Sequence, residues 1–187
     1  STNKAGFQAV TWLDAGTRNF YTVKTPIEKP QDLKGLKIRV QQSPTNIEMM
    51  KLLGGSATPM GFGEVYTALQ SNVIDGAENN ELALTDNGHG DVCKYYSYDM
   101  QQMVPDILIG NLEFLEHLPK NERRIFEEGF LLVNEVQRRE WTNAVKRAKE
   151  KAEKEQNVTF LYPEQKPFQE ACIPLHAKVL EKNKAIQ

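Results

Sequence analysis

Three places in this chain carry side chains suited to holding an anion. Arg39 stands near the end of the short run L-K-I-R-V-Q, Arg18 lies in D-A-G-T-R-N-F-Y, and Glu78, Asn79 and Asn80 close the stretch V-I-D-G-A-E-N-N. Binding a small carboxylate takes a fixed cation whose donors match two oxygens, and a guanidinium does this where an ammonium does not. Arg39 suits that role best, although a structural ion pair is the commoner use of an arginine inside a strand. By residue type alone Arg18 is a surface arginine beside a turn. Asn79 offers donors and an acceptor without charge, so it can orient an anion without competing with Arg39; it also reads as a loop asparagine tolerant of left-handed backbone. Gln41, Gln42, Glu78 and Asn80 carry groups that accept from hydroxyls, and the amides donate as well. Phe20, Tyr21, Phe62 and Tyr66 offer aromatic faces for a binding wall, with core packing the competing use and the preferred one for Phe20 and Phe62.

The same search finds no catalytic grammar. His89, His117 and His176 stand far apart, and H-E-x-x-H, G-x-S-x-G, P-loop and dinucleotide glycine patterns are all missing. Glu64, Asp75 and Glu78 are acids with no nucleophile to serve. Gly54-Gly55 and Gly61-Phe62-Gly63 read as turns, not as a phosphate cradle. Cys93 and Cys172 have no zinc-type spacing; they could pair as a disulfide in an oxidising compartment, but the preferred reading is two buried free thiols, and neither metal nor cofactor is expected. A formal net charge of -2 over 187 residues gives no field to recruit nucleic acid. No stretch has the eighteen or so apolar residues of a spanning helix, and the N-terminal residues lack a signal-peptide pattern, so any targeting segment is expected to have been removed.

Positioning these residues requires an α/β arrangement. Phe7–Leu13 and Phe20–Val23 read as extended, and Leu36–Gln41 as a strand. Ser43-Pro44 opens a helix that Gly54-Gly55 stops. Ala57–Met60 is a short extended link, Glu64–Ser71 a helix with Val65, Ala68 and Leu69 on one face, and Val73–Ala77 a buried strand. Val104–Asn111 is another strand. From near Pro119 to Gln156, apolar positions at Phe126, Phe130, Val133, Trp141, Val145, Ala148 and Ala152 keep helical spacing. Val158–Tyr162 reads as a strand and Pro163–Lys182 as a terminal helix with Phe168, Cys172, Leu175 and Val179 inward. Strand, helix, strand, helix, strand make an α/β lobe.

The stretch from Asp32 to Asn80, with D-L-K-G-L-K-I-R-V-Q-Q-S-P, G-G-S-A-T-P-M-G-F-G-E-V-Y-T-A-L-Q and V-I-D-G-A-E-N-N, resembles the DctP-type solute-binding proteins of TRAP transporters. The resemblance implies a two-lobed periplasmic binding protein-like fold, present here mainly as the second lobe with the long bracing helix and the C-terminal segment. Residues 1–13 would be a crossing strand, 14–103 the second lobe, 104–135 the return strand and start of the long helix, and 136–187 the remainder. The first lobe's leading portion would precede Ser1, so the chain reads as a fragment of a larger protein, and exposed apolar patches or pairing with a second copy are expected. By the same resemblance Arg39 is the carboxylate clamp, Arg18 a second arginine of the acid site, and Asn79 a ligand contact. Gln41, Glu78, Asn80 and Tyr66 complete the surround. The wording R-V-Q-Q-S and A-E-N-N is similar to members that take hexuronates and related sugar acids, although Pro44 stands where some carry an acidic residue. The implied partners are a small carboxylate and the membrane permease, outside the cytoplasm. A cytoplasmic small-molecule sensor is the alternative.

Overall fold

The structure, a computed structural model, describes residues 2–182; Ser1 and residues 183–187, at the ends of the expected first and last segments, lie outside the described residues. In chain order the strands and helices begin with β1 (Phe7–Leu13), β2 (Thr17–Thr22), β3 (Lys37–Val40), α1 (Pro44–Leu52), β4 (Ser56–Pro59), α2 (Val65–Gln70) and β5 (Gly76–Asn79). They continue with α3 (Leu82–Thr85), α4 (His89–Val92), β6 (Tyr95–Met103), β7 (Asp106–Asn111), α5 (Leu112–His117), α6 (Lys120–Glu155), β8 (Thr159–Leu161) and α7 (Lys166–Lys182). The chain divides into two compact units, Ser1–Gly16 with Met103–Arg147, and Thr17–Gln102 with Ala148–Gln187.

In the first unit β1 and β7 pair antiparallel from Phe7↔Asn111 to Leu13↔Asp106, with a bulge between Ala9 and Thr11. Side chains of α6 close the end of β1. Gln137 accepts from the Asp14 N–H at 2.8 Å and donates to the Asp14 carbonyl at 2.7 Å, and Asn134 donates to the Trp12 carbonyl. These bonds satisfy backbone groups that a two-stranded ribbon leaves open. Ile107, Ile109, Leu131 and Leu132 stay exposed, because a two-stranded ribbon with α5 and part of α6 encloses too little volume to cover them.

The second unit holds a six-stranded sheet in the order β4-β3-β5-β2-β6-β8. β3 runs parallel to β4 and β5, β2 antiparallel to β5, and β6 parallel to β8. Consecutive side chains of a strand leave on opposite faces, and β2 shows the result. Phe20 joins a core with Ile38, Met50, Leu53 and Phe168, while Tyr21 joins one with Leu69, Ile74, Leu84 and Tyr96. The C-terminal part of α6 is fixed to this sheet through buried Ala148 and Ala152 and through Lys149. The Lys149 ammonium lies 5.1, 5.4 and 5.9 Å from the ring centres of Tyr162, Phe160 and Tyr98 and donates to the Tyr162 hydroxyl.

At the centre of the sheet β5 begins with Gly76, where an added methyl would lie 2.5 Å from the Tyr21 carbonyl oxygen and 2.8 Å from a Thr22 methyl. Gly76→Ala therefore forces backbone apart and is expected to cost about 1–3 kcal/mol. Urea denaturation should show a lower midpoint with the slope kept; an unchanged midpoint would contradict this packing.

Local pattern reading places most of these elements but assigns none to residues 81–103, where the structure has α3, α4 and β6. Two of them are four residues long, too short for a periodic signal. In β6 the buried positions include Ser97 and Asp99, so its polarity does not report its faces. Asp99 is buried to accept the Phe20 N–H at 2.9 Å, and burial pushes its carboxyl up to about 8. Residues 56–59 are likewise more than a link, forming β4 at the edge of the sheet, and the expected strand at Val73–Ala77 begins only at Gly76.

Candidate functional site

The sheet register gathers the candidate residues at one edge. Arg39 lies in β3 opposite Ala77 of the parallel strand β5, two positions before the end of β5. β2 runs the other way, pairing Asn19 with Asn79 and Phe20 with Glu78, so Arg18 enters from the start of β2 beside the end of β5. Carboxyl ends of parallel strands are the usual ligand edge of an α/β sheet.

Arg18 and Glu78 form a forked pair. Nε donates to Glu78 Oε2 at 2.5 Å and Nη2 to Oε1 at 3.1 Å; Nη2 also reaches the Glu78 carbonyl at 3.0 Å, and Nη1 donates to Asn79 Oδ1 at 3.2 Å. Glu78 is 0% exposed and the Arg18 side chain 14%. Glu78 thus faces a guanidinium, not open space. Asn79 Oδ1 also accepts from the Asn80 N–H at 2.9 Å, and Asn80 Oδ1 from the Leu82 N–H at 3.1 Å. The two amides shape the turn out of β5 as well as facing Arg18.

Arg39 is held differently. It is only 4% exposed, and Nε and Nη2 both donate to the Met60 carbonyl, at 3.2 and 3.0 Å. Its guanidinium carbon lies 5.7 Å from the centre of the Phe62 ring. Among the described residues no carboxylate forms a salt bridge with it. Burial lowers its pKa below the usual arginine value, and the charge of Glu78 works in the opposite direction. Two guanidiniums beside one carboxylate leave a single positive charge uncompensated.

Tyr66 is half-buried near His89, their ring centres 6.5 Å apart. Gln41, two residues after Arg39, is exposed and accepts from Asn46 Nδ2 of α1 at 3.1 Å. Phe20 is fully buried as expected, whereas Phe62, expected in the core, is 39% exposed and stands against Arg39. Sequence reading also passes over His89 and assigns Tyr21 only a possible wall. In the structure Tyr21 Oη lies 2.8 Å from His89 Nδ1, and the His89 ring centre is 5.5 Å from that of Phe62. Cys93 is buried and Cys172 half-buried, and both are free thiols.

A fold with this mixed six-stranded sheet has close counterparts among solved structures. A TRAP periplasmic solute binding protein from Anaerococcus prevotii, crystallised with bound D-glucuronate, matches with a TM-score of 0.94 and 65% identity over 99% of this chain and 60% of its own. One from Sulfitobacter sp. NAS-14.1, with bound β-D-galacturonate, matches with a TM-score of 0.92 and 31% identity over 98% of this chain and 61% of its own. The fold is that of the TRAP periplasmic solute-binding proteins. This chain belongs to the DctP family, bacterial extracellular solute-binding protein family 7, whose profile matches residues 1–183. The uncharacterized protein YiiZ of Salmonella typhimurium is 46% identical over 176 residues, 94% of this chain and 54% of that protein. The chain thus spans little more than half the length of that relative.

Proposed function

We propose that the full-length protein is a TRAP solute-binding protein that captures a hexuronate outside the inner membrane and hands it to a permease without chemical turnover. The observation that carries this reading is Arg39, a nearly buried guanidinium bonded to one carbonyl and, among the described residues, to no acid. A buried cation is costly unless paired, and a ligand carboxylate provides the missing charge in bidentate form. Arg18 and Asn79 flank it, Glu78 holds Arg18 in place, and Asn80, Gln41 and Tyr66 serve the sugar hydroxyls and ring. Residues 14–103 are, in this reading, the core of one lobe, and 1–13 and 104–135 are portions of the other. Family membership and relatives crystallised with glucuronate or galacturonate favour it over a cytoplasmic sensor.

The test is thermal denaturation of the full-length protein with D-glucuronate, D-galacturonate, succinate, D-glucose and D-galactose. At a hundred times its dissociation constant a ligand stabilises the native state by about 2.7 kcal/mol. The uronates should raise the melting temperature and their neutral sugars should not. Equal shifts with uronate and neutral sugar, or no shift with any acid, would refute the reading.

A further inference from the structure

We propose that His89, pinned by Tyr21, is a positioning residue of the Arg39 site: an uncharged imidazole that seats the Phe62 ring against the guanidinium and keeps the site at one excess positive charge. This rests on the reading of Arg39 as an acid clamp.

The argument begins with the Tyr21 hydroxyl. Tyr21 is fully buried, and burial, with the charge of Glu78 adding to it, raises its pKa well above the ordinary tyrosine value. The O–H keeps its proton, and among the described residues its hydrogen-bond partner is His89 Nδ1; we take the O–H as donor and Nδ1 as acceptor, the tautomer that nitrogen-15 spectra test. An imidazole that accepts at Nδ1 carries its hydrogen on Nε2 and is neutral. The ring is 2% exposed, and three aromatic rings from separate segments surround it: Tyr21 at 5.6 Å, Phe62 at 5.5 Å and Tyr66 at 6.5 Å between centres.

Phe62 is the link to the clamp. It touches Arg39 and His89, and with 39% of its surface exposed it lacks the packing that would fix a core ring. His89 is therefore the buried side of its seat. The imidazole must also stay uncharged, because a second cation beside Arg39 would be unpaired. Burial and the charge of Arg39 push His89 down to about 4. The titratable or charged groups around it are Tyr21 on β2, Arg39 on β3, Tyr66 on α2, and Asp91 and Cys93 at its own helix. Asp91 accepts from Gln156 at 2.9 Å, and burial holds the Cys93 thiol up at about 12. Among the described residues no carboxylate forms a salt bridge with His89.

The experiment combines nitrogen-15 spectra of the full-length protein with calorimetric titration of D-glucuronate at pH 5, 6, 7 and 8, for the parent, Tyr21→Phe and His89→Gln. In the parent, His89 should give the neutral Nε2–H signature down to pH 5, and glucuronate affinity should be level across the series. Tyr21→Phe should mix the tautomers, both variants should move the Arg39 Nε–H resonance, and both should weaken glucuronate binding about threefold to tenfold. An imidazolium at pH 6 would overturn the proposal, as would an Arg39 resonance and affinity identical to the parent in both variants. The spectra need no ligand, so a parent that binds no acid would refute the acid-site reading while His89 is still judged by its tautomer and by Arg39. Tyr21→Phe changes a single oxygen and serves if His89→Gln fails to fold.

Discussion

Arg39→Ala is expected to lose on the order of 2–5 kcal/mol of D-glucuronate binding, roughly a thirty-fold to four-thousand-fold weaker dissociation constant. The size follows from what the ligand carboxylate would lose: a forked partner at a site nearly closed to water, where neither solvent nor a neighbour replaces it. Arg39→Lys should fall almost as far, since an ammonium presents no parallel pair of donors and the present bonds from Nε and Nη2 to Met60 depend on the guanidinium plane. Stability should respond much less. No acid of the described residues pairs with Arg39, so its removal strands no buried anion, and only the ring contact to Phe62 and the Met60 bonds are lost. Calorimetric titration alongside a melting curve separates the two effects. An Arg39→Ala protein that binds glucuronate like its parent would remove Arg39 from the site.

Arg18 is expected to behave in the opposite way. Arg18→Met leaves the carboxylate of Glu78, with no exposed surface, without its cation, and breaking such a pair costs about 3–5 kcal/mol. In a chain of this size that corresponds to a fall of roughly 6–20 °C in melting temperature. Adding Glu78→Gln to Arg18→Met should recover most of the loss, because what destabilises the single variant is an uncompensated charge, not a missing contact. Both forms should also bind glucuronate less well than the parent, since the guanidinium beside Asn79 is gone. Denaturation midpoints for the two single variants and the double variant measure the coupling directly. A single variant as stable as the parent would mean that Glu78 is protonated or hydrated once Arg18 is removed, against the buried ion pair described here.

The contrast between these arginines marks the boundary of what local sequence can say. Both are legible as anion-binding residues: each has the fork, Arg39 stands at the end of an apolar run that reads as a strand, and Arg18 follows a turn. Strand positions, the helix after Ser43-Pro44 and the long α6 are equally legible, because proline and glycine geometry and 3.6-residue spacing act within a few residues of chain. The family resemblance rests on the same local stretches. What the chain could not disclose by itself is which arginine is already neutralised. That depends on β2 lying antiparallel to β5 with Asn19 opposite Asn79, which sets Arg18 against Glu78, 60 residues away, and leaves Arg39, on the far side of β5, without an acid among the described residues. The same distance hides His89, joined to Tyr21 across 68 residues, and Phe62, whose exposure is set by its place against Arg39 and not by its apolar character. Local chemistry determined which side chains are able to hold an acid; the pairing of strands far apart in the chain decided which of them is free to do so.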